Sequence, residues 1–82
     1  MKIKLKFDKT EPLLEGKIYL DDDLIVMMRG TGRVHVLENL YWRLQSQKEI
    51  LKQQYGDEII EEISDLLLTK LYDLGFDLHT FL

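Results

Sequence analysis

With 45% hydrophobic and 32% charged residues in 82, the chain suits one folded domain (1–82) with one modest core, and is too apolar to be disordered. No cysteine is present, so neither disulfides nor a thiolate metal site can hold the fold, and packing alone must do so. The net charge of −4 is ill suited to coating nucleic acid, and it is unevenly spread: residues 1–56 hold ten Lys/Arg against eight Asp/Glu, residues 57–82 one against seven.

Residues 2–7, Lys-Ile-Lys-Leu-Lys-Phe, alternate with a period of two. This predicts a strand with Ile3, Leu5 and Phe7 toward a core and Lys2, Lys4 and Lys6 in water. The alternation lacks the apolar block of a signal peptide, and the longest apolar runs, Leu24–Met28 and Leu66–Leu68, are far too short to cross a bilayer. The expectation is a cytoplasmic protein with no membrane contact. Turn residues and a proline break the pattern at Asp8–Pro12. Three short apolar segments follow, Lys17–Leu20, Leu24–Met28 and Arg33–Leu37. Asp21-Asp22-Asp23 and Gly30-Thr31-Gly32 separate them, both with hairpin length and hairpin residues. Residues 1–37 therefore read as a small antiparallel sheet of three to four strands, with 33–36 open between a strand and the first helical turn.

From Leu37 the period changes. Apolar residues at 37, 40, 41, 44, 51 and 55 form one face of a helix over about 38–55, interrupted by Lys48, whose aliphatic stem must carry its charge outward. Gly56 stops this helix and Asp57 is placed to cap the next, over about 57–74. That second helix buries Ile59, Ile60, Ile63, Leu66, Leu67, Leu71 and Leu74, and its acids cluster where the helix dipole favours them. Gly75 ends it, Phe76 supplies the hydrophobic contact that follows a C-terminal glycine, and the tail Phe76–Leu82 is apolar enough to dock back as a short strand. The fold class is α+β, two C-terminal helices packed on one face of the sheet.

Catalytic chemistry finds no constellation. His35 and His79 are the only histidines, and no nucleophile–base motif accompanies them. Asp21-Asp22-Asp23 has carboxylates for a hard cation but not the spaced acids and glycine of a calcium loop, so it reads as a solvated turn with no metal. Arg29-Gly-Thr-Gly-Arg33 could offer backbone N–H groups and two guanidinium groups to an anion, yet it lacks the ending of a phosphate-binding loop and reads first as a hairpin turn. The lysines of the first strand have no aromatic residues interleaved for base stacking, and they suit a guard against edge-to-edge aggregation. No cofactor is implied.

The helices carry apolar residues on the wrong side. At about 100° per residue, Trp42 falls near 140° from Leu37, and Ile50 also lies off the stripe. On the second helix Leu68 and Tyr72 form an i,i+4 pair among Glu61 and Asp65. Such a patch in an acidic setting suits an interface, though burial of both helix faces would explain it equally.

In size, acidity and lack of cysteine the chain resembles many small regulatory and inhibitory proteins, including those of mobile genetic elements, a resemblance of class and not of motif. Two functions follow as expectations. One is a non-enzymatic protein-interaction module, an inhibitor or regulator that occludes a partner through Trp42, Leu68, Tyr72, Glu61, Glu62 and Asp65; the partner is a basic or amphipathic protein surface or a second copy, with mimicry of nucleic acid as a special case. The alternative is a small nucleic-acid-binding regulator using Lys2, Lys4, Lys6, Arg29 and Arg33, recognisable by affinity that falls steeply with salt.

Overall fold

The computed structural model describes residues 2–76. Three antiparallel strands come first, β1 (Ile3–Thr10), β2 (Leu13–Leu20) and β3 (Asp23–Gly30), in the sheet order β1-β2-β3. Helices α1 (Arg33–Ser46), α2 (Lys48–Tyr55) and α3 (Asp57–Asp73) follow on one face of the sheet, α1 packed on β2 and β3, α3 on α1 and α2 on α3, an α+β arrangement. Each strand is longer than the apolar segments alone predict, because the ladder runs on through polar residues to the turns. The β1–β2 turn is reduced to Glu11-Pro12, joined by a cis peptide bond.

The β2–β3 turn is Asp21-Asp22, with φ of 47° and 75° at its two central positions. Both are left-handed, as a two-residue hairpin matched to strand twist requires, and aspartate tolerates that conformation better than most residues. Asp21 does more than turn the chain. Its N–H donates to the Lys2 carbonyl at 3.0 Å and its Oδ1 accepts from the Lys2 N–H at 2.8 Å, pinning the start of β1. The acids at 21 and 22 thus serve as turn residues.

Register decides the faces. Phe7 pairs with Gly16 and Leu5 with Ile18, while Ile18 pairs with Val26 and Gly16 with Met28, so these residues share the helix-covered face. Opposite lie Lys4, Lys6, Asp8, Glu15, Lys17, Tyr19, Met27 and Arg29. Gly16 is the point of closest approach: a side chain there would overlap Val36 Cγ1 and come within 3.0 Å of Leu40 Cδ1. Its missing Cβ lets α1 settle onto β2.

Residues 33–37 are helix, not strand, and Gly30-Thr31-Gly32 is a strand-to-helix connector, not a hairpin. Val34 and Val36 imitate a strand locally, but Val36, Leu37, Leu40 and Leu44 continue one buried helical face. The long helix predicted over 38–55 is broken at Gln47, whose N–H is shared between the Arg43 and Leu44 carbonyls at 3.2 Å each. Ser46 contributes by donating its hydroxyl to the Arg43 carbonyl at 2.8 Å, competing with the helical ladder. After the break, α2 turns to bury Leu51 at 6% exposure.

Gly56, with φ of 98°, stands at the N-cap of α3. Asp57 is therefore the first helical residue and acts through the helix dipole, not as a cap. The other end matches expectation in detail. The Phe76 N–H bonds the Leu71 carbonyl and the Gly75 N–H the Tyr72 carbonyl, both at 2.9 Å, with Gly75 at φ 83° and Phe76 packed on the core. The predicted docking of the tail beyond Phe76, and His79 within it, lie outside the described residues. The core joins Ile18, Leu20 and Val26 of the sheet to Leu37, Leu40 and Leu44 of α1 and to Ile60, Ile63, Leu67 and Leu71 of α3.

Candidate functional site

The outer surface of α1 and α3 carries the residues predicted to meet a partner. Trp42 is 43% and Tyr72 69% exposed. Trp42 is not loose: it meets Tyr41 edge to face, ring centroids 5.1 Å apart, and Tyr41 packs on the core. The Gln45 side-chain amide donates to the Ser64 hydroxyl at 3.1 Å, fixing which flanks of α1 and α3 meet. Trp42 lies three residues before Gln45, and Leu68 and Tyr72 lie four and eight after Ser64. Helical spacing therefore brings all three to the seam between the helices and its outer rim. Leu68 departs from expectation. It is half-buried and packed against the core, so it is a floor to this patch rather than a free anchor.

The acids divide as well. Glu61 Oε1 lies 2.7 Å from Lys48 Nζ and 2.9 Å from Lys52 Nζ, so the two lysines of α2 clamp it. Hydrogen bonds from Lys48, then from Lys52, pull its carboxyl from 4.5 down to about 2, and Lys52 is raised in return, chiefly by its bond to Glu61. Lys48, which interrupts the apolar stripe, thus has a partner. Glu61 belongs to the α2–α3 contact, whereas Glu62 and Asp65 are exposed and make no ion pair among the described residues.

The alternative basic set does not converge. Lys4 and Lys6 lie on the uncovered sheet face, where Lys6 approaches Asp8 at 3.9 Å. Arg29 Nε donates to Glu15 Oε2 at 3.0 Å, and Lys17 Nζ bonds Glu15 Oε1 at 3.1 Å. These two cations neutralise a carboxylate only 6% exposed, and the Arg29 bond is the main reason its pKa is lowered. Arg33 sits across the sheet on the other face, its guanidinium 5.5 Å from the Phe7 ring centroid. Arg29 and Arg33 thus diverge from the connector between them, and Lys2 is held through its backbone by Asp21.

Sequence reasoning missed the polar network Asp8–Lys17–Glu15–Arg29 and the exposed Leu24 and Met27. Its signal was the alternation Glu15-Gly16-Lys17-Ile18-Tyr19-Leu20, which places Glu15, Lys17 and Tyr19 on one face. Among the described residues no group of three His, Asp or Glu could hold a metal ion, and no helix is long and apolar enough to cross a membrane. No protein-family model matches the chain, and no similar curated protein or solved structure is found.

Proposed function

We propose that this chain is a non-enzymatic protein-interaction module, a small cytoplasmic inhibitor or regulator that covers a partner's surface with the outer face of α1 and α3. The observation that carries this reading is the exposure of Trp42, braced edge-on by Tyr41 on a helical surface that also exposes Tyr72, Glu62 and Asp65. A rigid aromatic anchor loses little conformational entropy on binding, and aromatic residues dominate interface energetics. The exposed acids of α3, Glu62 and Asp65, suit a basic or amphipathic partner.

Quantitative capture of cellular proteins on the immobilised chain, compared between wild type, Trp42→Ala and Tyr72→Ala, tests the proposal. It predicts a captured protein whose retention falls with both substitutions. Equal capture by all three, or recovery of DNA or RNA whose binding collapses with salt, would contradict it.

A further inference from the structure

We propose that the free edge of β1 and the apolar cleft between β1 and α3 form a second docking site, which takes an extended segment of another protein with apolar and acidic residues in alternation. Among the described residues β1 pairs with β2 alone. Lys2 turns both its N–H and its carbonyl toward Asp21, on the β2 side. Antiparallel alternation then turns the backbone groups of Lys4, Lys6 and Asp8 toward β2, and those of Ile3, Leu5, Phe7 and Lys9 to the open edge. That edge is a template for one more strand.

The two faces flanking the edge differ in chemistry. On the helix side Ile3, Leu5 and Phe7 are only half-buried. With Leu37, Leu66 and Leu74 they line a cleft of about 560 Å³, with Arg33, Lys70 and Asp73 beside them. On the opposite side stand Lys4 and Lys6. An added strand would place alternate side chains into the cleft and the rest beside the lysines, so the fitting sequence is apolar on one face and acidic on the other. The same lysines oppose a second copy, because antiparallel β1–β1 pairing sets lysine against lysine. This site lies on a different surface from Trp42 and does not depend on it.

The probe is a fluorescent, end-blocked peptide Glu-Val-Glu-Ile-Glu-Val-Glu, its lysine-for-glutamate analogue serving as control, titrated into the full chain by anisotropy. The acidic peptide should bind at least about tenfold tighter than the basic one, the difference shrinking with salt. Binding should weaken by about tenfold or more in Lys4→Glu/Lys6→Glu and in Leu74→Glu, all surface changes, and stay unchanged in Trp42→Ala. Bound peptide should slow hydrogen exchange at the Leu5 and Phe7 amides. Absence of binding, indifference to peptide charge, or unprotected Leu5 and Phe7 amides would overturn the proposal. Protection of those amides in a dimer without peptide would assign the edge to a second copy instead. Binding seen only in a full-length variant carrying Leu78→Asp and Phe81→Asp would assign the cleft to the chain's own C-terminal residues; either result also overturns it.

Discussion

Gly16 shows how much one residue can decide, since a single methyl there meets Val36, a β-branched residue with no exposure and little rotamer freedom in a helix. Gly16→Ala should cost about 1–3 kcal/mol by overpacking, read from denaturant unfolding; a neutral result would mean that α1 shifts freely over β2. In α3, Leu67 has no exposure, so Leu67→Ala should cost about 2–5 kcal/mol. Leu68, half-buried, should cost about 1–2 kcal/mol on truncation, and equal losses at the two positions would place the α3 core stripe elsewhere. Periodicity alone placed Leu67 inside and Trp42 outside, because each depends only on the phase of its own helix. It could not place Leu68, whose partial burial arises from packing against the assembled core. Glu15 was legible only in part: alternation along β2 puts Lys17 on its face, but Arg29 meets it only once β2 and β3 are in register.

Among the elements, the junction of α2 and α3 carries a pH dependence. The Glu61 carboxyl sits at about 2 in the folded protein against 4.5 ordinarily, so it stays charged and clamped where the unfolded chain would take up a proton. A depressed carboxylate stabilises the fold above its unfolded pKa and loses that contribution as pH falls toward the folded value. Thermal unfolding followed by circular dichroism should therefore find Glu61→Gln less stable than wild type at pH 7. The two melting curves should converge between about pH 5 and 2. A gap that persists at pH 2 would assign the effect to packing instead of charge. Element types were legible where one period ran undisturbed, as in β1 and α3. They stayed ambiguous at 33–36, where two valines and a histidine alternate within a helix, and they failed at Gly30-Thr31-Gly32, which is a strand-to-helix connector and not a hairpin turn. They failed again at Gln47, where the break rests on a local contest for the Arg43 carbonyl that carries no hydrophobic signature.

For the whole molecule, the charge imbalance between the two halves of the chain becomes a spatial one, with free acids on α3 and lysines on β1 at the sheet edge. The basic set, spread over one sequence half, is split by the fold between opposite sheet faces and partly neutralised by Glu15. The acidic set keeps Asp65 on the Tyr72 side of α3 and Glu62 exposed further round that helix but loses Glu61 to α2, so reversing Glu61 would test the fold and not the interface. No part of that division could be read from composition, because it depends on which faces the helices cover. The decisive measurement is the affinity of the captured partner for two double variants, each first shown by circular dichroism to be folded. Glu62→Lys/Asp65→Lys should weaken binding by at least about tenfold, since like charges brought into contact oppose association directly, whereas Lys4→Glu/Lys6→Glu should leave it within about threefold, acting only through a screened field. Loss of binding in the lysine variant, with the acidic variant unaffected, would contradict the account and make the β1 side of the sheet the working surface.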